Sequence, residues 1–156
     1  MKIILLLSLL IPSIAHSEMY ASKIHDIVCL AQNIYFEARN QSDLGKEAVA
    51  EVVLNRVKST SYPSTVCSVT KQAKQQFGKI LTNKCQFSWY CDGKSDIPTD
   101  TQSWIKSIKI AQQILSHDSR NLTQGSTHYH SVTVSPYWKK SLNRVVQIDD
   151  HIFYKE

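Results

Sequence analysis

Several signatures are missing from this chain, and each absence removes a class of function. Across its 156 residues there are no internal repeats, low-complexity tracts or linker-like stretches, which argues against a repeat array or a chain of several domains. No Cys-x-x-Cys and no matching Cys/His spacing occurs, so a structural zinc site is not expected. No RNA- or DNA-binding signature accompanies the formal charge of +5, and no nucleic-acid partner is expected. A modest positive balance does suit an anionic polymer. The nearly continuous apolar run from Ile3 to Ile11 is about half the length a membrane-spanning helix requires.

That run reads instead as the core of a signal peptide. Lys2 precedes it, Pro12 follows it, and Ala15-His16-Ser17 offers small residues at the −3 and −1 positions for cleavage before Glu18. Residues 1–17 are therefore expected to be removed, leaving 18–156 as a single secreted domain, periplasmic or extracellular, with no stable membrane insertion and no oligomeric partner. The four cysteines, Cys29, Cys67, Cys85 and Cys91, fit disulfides in an oxidising compartment. Three connectivities are open. Cys85–Cys91 as a local clip, with Cys29–Cys67 tying the first helix to the segment after the second, is the favoured one.

The hydrophobic period indicates a helix over Ser22–Arg39, capped by Ser22, and a second from Ser42 or Asp43 to about Lys58. The second is apolar over most of its circumference, as a central helix should be, apart from a polar stripe of Glu47, Glu51, Asn55 and Lys58. A short helix begins near Thr65 and carries Val66, Val69 and Ala73. Residues 78–98 read as an irregular, aromatic-bearing loop. Thr99 and Gln102 form a capping box for a further helix to about His117, with Trp104, Ile108, Ala111 and Leu115 on its apolar face. From Thr127 the period turns towards two, giving strands at 127–130, 145–148 and 151–154. The expected class is α+β, a helical lobe with a small antiparallel β element.

Glu37 is the residue that draws attention. It sits in the apolar, aromatic run Asn33-Ile34-Tyr35-Phe36-Glu37-Ala38-Arg39, on the shoulder of the first helix's apolar face. Arg39 projects from nearly the opposite side and is not placed to neutralise it. Desolvation without an ion pair raises a carboxyl pKa. A carboxylic acid that stays protonated near neutral pH is what glycosidic cleavage needs to protonate a poor leaving group. No second acid lies near it in sequence. Asp43, Asp92, Asp96, Asp149 and Asp150 are candidates through folding.

Ile34-Tyr35-Phe36-Glu37-Ala38-Arg39, Gly45, the run Ala48 to Val57, and Tyr62-Pro63-Ser64-Thr65-Val66-Cys67 together resemble the spore-cortex-lytic (SleB-type) cell-wall hydrolase family. Cys85-Gln86-Phe87-Ser88-Trp89 and His151-Ile152-Phe153-Tyr154 are similar to its later blocks, so the likeness runs in order through the mature chain. It implies a lysozyme-like helical core and cleavage of the bond between N-acetylmuramic acid and N-acetylglucosamine in peptidoglycan glycan strands. By the same resemblance, the activity is lytic transglycosylation, Glu37 is the catalytic acid, and no metal or cofactor is needed. The chain departs from the spore enzymes in its cysteines and its Thr127-His128-Tyr129-His130 segment.

Phe87, Ser88, Trp89, Tyr129 and His130 are the candidate sugar-groove residues, since aromatic faces with a few polar groups suit carbohydrate. Phe87 and Trp89 fit a plain core role as well. Asn55 and Arg56, on a buried helix, are expected to satisfy backbone or carboxylate partners. An alternative has His128, His130 and His151 as a zinc trio with Glu37 as general base of a peptidase or amidase. A further one is a non-catalytic wall-binding module.

Overall fold

The computed structural model describes residues 12–116 and 120–156, with the side chains of 12–16 excepted. Most of the expected leader, residues 1–11, lies outside the described residues, as does His117 at the expected end of the fourth helix. Four helices, α1 (Pro12–Ala38), α2 (Asp43–Lys58), α3 (Val66–Thr70) and α4 (Thr101–Ser116), make the helical part. A hairpin of β1 (Ala73–Gln76) and β2 (Lys79–Cys85) follows α3. The strands β3 (His128–Ser131), β4 (Asn143–Ile148) and β5 (His151–Lys155) form an antiparallel sheet in the order β3-β5-β4. The class is α+β.

Helix α1 as described already includes Pro12, ten residues before Ser22. No glycine or second proline interrupts the run from Pro12 to Ala38. Helix α2 starts as expected, with the Ser42 side chain accepting from the Gly45 N–H at 3.2 Å. Helix α4 is capped differently from the expected Thr99–Gln102 box. The Asp100 carboxylate accepts the N–H groups of Gln102 and Ser103 and the Ser103 hydroxyl, so aspartate takes the N-cap role. Helix α3 stops at Thr70 and Ala73 opens β1.

Helix α2 is central because it packs on both sides. Ala50 and Val53 join Leu30, Ile34, Val69, Phe87, Trp89 and Ile110 in the larger core cluster, while Ala48 and Val52 pack with Ile148 and Phe153 of the sheet. Its polar stripe faces other parts of the chain rather than water except at Lys58, which is exposed. Glu47 pairs with Arg120. Glu51, 2% exposed, accepts from the N–H groups of Leu122 and Thr123 and from the Thr123 hydroxyl. Asn55 donates to the Ser126 carbonyl at 2.9 Å, and Arg56 to the Thr127 carbonyl at 2.8 Å. The stripe thus holds the 120–127 segment against the helix turn by turn, and that segment delivers the chain into β3.

The opposite end of the sheet is tied down at Gly45. In the turn between β4 and β5 the Asp149 carboxylate accepts from the Ser42 N–H at 2.9 Å and the Ser42 hydroxyl at 2.6 Å. A side chain at Gly45 would collide with that carboxylate, so glycine is needed for the approach. Both expected disulfides are present, Cys29–Cys67 and Cys85–Cys91, with Cα atoms 5.2 and 6.1 Å apart.

Candidate active site

The two anchors set β3 beside the C-terminal end of α1, and this brings Tyr129 to Glu37. The Tyr129 hydroxyl donates to Glu37 Oε2 at 2.9 Å across 92 residues of sequence. Strand alternation turns Tyr129 inward, its ring centroid 5.1 Å from that of His151 and 5.6 Å from that of Phe153. Burial pushes the Glu37 carboxyl above its ordinary value, while the Tyr129 hydroxyl and the more distant Arg56 charge pull it part of the way back. Burial and the adjacent carboxylate drive the Tyr129 phenol well above its usual range, so it remains a donor.

Glu37 lines a cavity of about 600 Å³ together with Phe36, Arg39, Ser88, Trp89, Asp92, Lys94, Ser95, Tyr129, His130, Ser131 and His151. Trp89, buried in the core, is one of its lining residues. The ring stacks on Phe36 at 5.2 Å and its indole N–H donates to Asn33 at 3.1 Å, which fixes the plane presented to the cavity. Ser88 lies in the same short 3-10 turn, Ser88–Cys91, closed by the Cys85–Cys91 disulfide. Arg39 lines the same cavity but carries its guanidinium 5.2 Å from the Tyr35 ring centroid, and among the described residues it makes no ion pair with Glu37.

Of the five candidate sugar-groove residues, Ser88, Trp89, Tyr129 and His130 come together around Glu37. Phe87 does not. It is 3% exposed in the main core, its ring centroid 5.1 Å from the Arg56 guanidinium. An aromatic next to a groove residue faces the other way because the chain turns between them. Both His130 ring nitrogens are engaged, Nδ1 with the Ser131 carbonyl at 2.8 Å and Nε2 with the Tyr154 hydroxyl at 3.0 Å. Phe36, Asp92, Lys94 and Ser95 were not singled out as groove residues in sequence. Phe36 could have been, because it precedes Glu37 in the aromatic run.

The histidine trio does not assemble. His128 and His130 share one face of β3 and flank the Trp138 ring at 5.4 and 5.7 Å, whereas His151 stands on the other face beside Tyr129. Among the described residues the one cluster with metal-ligating atoms is His25, Cys29 and Cys67, and its two sulfurs are bonded to each other. Asp92 is the other carboxylate at the cavity, with its Oδ1 accepting from the Lys94 N–H at 2.9 Å. Asp43 pairs with Lys106, and Asp149 with Ser42. Among the described residues no helix is long and apolar enough to cross a membrane.

Known proteins are similar to this chain in sequence and in fold. The spore cortex-lytic enzyme of Halalkalibacterium halodurans is 44% identical over 130 residues, covering 83% of this chain and 34% of the relative. That of Bacillus cereus is 49% identical over 45 residues, 29% of this chain and 17% of the relative. This chain therefore spans about a third or less of the length of these relatives. The solved catalytic domain of Bacillus cereus SleB is similar at 26% identity and a TM-score of 0.58, over 85% of this chain and 91% of that domain. The catalytic domain of the germination-specific lytic transglycosylase SleB from Bacillus anthracis is similar at 28% identity and a TM-score of 0.62, over 83% and 93%. The profile of the Cell Wall Hydrolase family matches residues 40–154, beginning just after Glu37 and including every other residue set around it except Phe36 and Arg39. With that match extending over most of its length, the chain belongs to the cell wall hydrolase family.

Proposed function

We propose that this protein cleaves the glycosidic bond between N-acetylmuramic acid and N-acetylglucosamine in peptidoglycan, as a lytic transglycosylase with Glu37 as its acid. The observation that carries this is the Glu37 carboxyl itself, lining a polar cavity while burial raises its pKa above the ordinary value. The Tyr129 hydroxyl fixes one carboxyl oxygen, which leaves the other to face a substrate oxygen.

In the reaction Glu37 gives its proton to the bridging oxygen as the bond to the muramic C1 breaks. The leaving sugar departs as a neutral alcohol, and positive charge spreads over C1 and the ring oxygen. Glu37, now a carboxylate beside that charge, receives the proton of the muramic 6-hydroxyl as this oxygen bonds to C1. The product is a 1,6-anhydro ring, and the enzyme regains its starting proton. The same Tyr129 hydrogen bond stabilises the transient carboxylate. Phe36 and Trp89 give the cavity an aromatic, apolar side, and Ser88, Ser95 and Lys94 offer polar contacts. A polymer outside the cytoplasmic membrane also agrees with the leader expected at residues 1–17.

The test is mass spectrometry of products from purified peptidoglycan. Terminal 1,6-anhydro-muramic acid is expected, formed also in the presence of a strong chelator and lost in Glu37→Gln. Reducing ends instead would point to a hydrolase, with Asp92 as the water-activating group to examine. Freed stem peptides would overturn the glycosidase reading altogether.

A further inference from the structure

We propose that the β1–β2 hairpin is a second contact for the anionic glycan polymer, outside the catalytic cavity, with Phe77 and the lysines around it as the gripping residues. The inference rests on the reading of peptidoglycan as substrate. Both strands are exposed along most of their length and form a two-stranded sheet whose outer edges pair with no other strand among the described residues. At the tip, Phe77 is 94% exposed and holds φ at +52°. That backbone region penalises a bulky side chain, and a two-residue hairpin turn is ordinarily built from Asn or Gly. The ring buries nothing within the chain, so neither packing nor turn geometry accounts for an aromatic there.

The charge is equally one-sided. Between Glu51 and Asp92 the chain has no acidic residue. Lys71, Lys74, Lys79 and Lys84 fall in residues 71–85, and this segment alone carries four of the five net positive charges of the whole chain. All four are exposed, and no ion pair among the described residues includes one. Lysines on an open sheet edge also discourage edge-to-edge pairing. That explanation covers the charge and leaves Phe77 without a role.

The position of the hairpin identifies the polymer. Cys85 ends β2 and is bonded to Cys91, which closes the turn that brings Ser88 and Trp89 to the cavity. Hairpin and groove wall are thus one covalently closed unit, placed to engage one strand at two points. Gln75 and Gln76 flank the tip, and Thr82 and Asn83 lie farther along β2, adding amide and hydroxyl groups. These suit sugar hydroxyls and stem-peptide amides, and they oppose insertion into a lipid surface. The lysines suit the carboxylates of the stem peptides.

The experiment is cosedimentation of the full chain with insoluble peptidoglycan sacculi over a range of salt. Phe77→Gly removes the ring and relieves the backbone at φ +52°, so the fold should survive it. It should weaken binding by about fivefold. The triple variant Lys74→Gln, Lys79→Gln, Lys84→Gln should weaken it by about tenfold at low salt and flatten the salt dependence. Wild-type binding should fall on sacculi whose carboxylates have been amidated, and turnover of short soluble glycan fragments should be unchanged in both variants. Unaltered sedimentation of both variants would overturn the proposal, as would wild-type binding to phosphatidylglycerol vesicles but not to sacculi. The catalytic reading fails separately: product release surviving Glu37→Gln would remove the acid and leave sedimentation to judge the hairpin.

Discussion

Glu37 and Glu51 are two glutamates on neighbouring apolar helices, and the fold treats them in opposite ways. Glu51 is almost fully enclosed and receives three donors, two backbone N–H groups and a hydroxyl, from Leu122 and Thr123. Glu37 keeps an opening to a cavity and receives one, the Tyr129 hydroxyl. A carboxylate surrounded by donors is a fixed anchor for a loop, whereas one with a single donor and a desolvated end is poised to hold and release a proton. The two are also connected. Glu51 fixes the segment that leads into β3, and β3 carries Tyr129, whose hydroxyl holds Glu37, so the structural carboxylate positions the candidate catalytic one.

The sharpest way to break this contrast is to neutralise each carboxylate in turn. Glu37→Gln should reduce release of anhydro-muropeptides by about a thousandfold, the order expected for loss of a general acid, while circular dichroism and wall binding remain as in the wild type. Glu51→Ala should leave the chemistry of Glu37 formally intact yet cost about 3 kcal/mol of stability, because the N–H groups of Leu122 and Thr123 lose their buried acceptor. Denaturant titration reads that loss. If Glu51→Ala is as stable as the wild type, the anchoring role assigned to α2's polar stripe is wrong.

How legible this contrast is in the sequence depends on the kind of signal. Residue by residue, Glu37 stands out because a charged residue interrupts an aromatic run, and α2 stands out because it is apolar nearly all round. Asn55 and Arg56 do meet backbone partners, as buried polar groups should. The stripe containing Glu51 misleads, because periodicity shows that one face is polar but not whether water or a loop lies against it. The β1–β2 hairpin is invisible for a related reason. Ile80 and Leu81 are adjacent and so fall on opposite faces among polar residues, and the alternation that marks a half-buried strand is missing from Lys79-Ile80-Leu81-Thr82-Asn83-Lys84. The contact between Tyr129 and Glu37 is set by the Gly45–Asp149 approach and by Glu51, long-range packing that no local pattern encodes.

A milder perturbation tests the single donor. Tyr129 is enclosed, and Phe fills the same space without the hydroxyl. Tyr129→Phe removes the hydrogen bond that favours the Glu37 carboxylate, so the carboxyl pKa should rise further. An acid that must be protonated loses activity as pH passes its pKa, and the alkaline limb of the kcat/KM profile should therefore move to higher pH. The loss in kcat at the optimum should be about tenfold, from poorer positioning of the carboxyl. Replacing Arg56 by Met should move the limb in the same direction, since its charge also favours the carboxylate, although the lost bond to Thr127 makes that variant less stable.

The smallest expected effect is on stability alone. Below the ordinary glutamate value both folded and unfolded chains hold the Glu37 proton. Between that value and the raised folded one, only the folded chain holds it, so each step up in pH favours the unfolded state. Above the folded value both are ionised and the slope ends, with a desolvated charge left in the native site. Glu37→Gln has no proton to lose there and should be more stable than the wild type above that window, by about 1 kcal/mol, while at acid pH the two should differ little. Glu51→Gln should show no such gain at any pH, because the amide turns a donor towards N–H groups that need an acceptor. Thermal denaturation of the two variants from acid to mildly alkaline pH makes the comparison directly, and a Glu37→Gln curve parallel to the wild type would mean that the carboxyl is not held protonated by the fold.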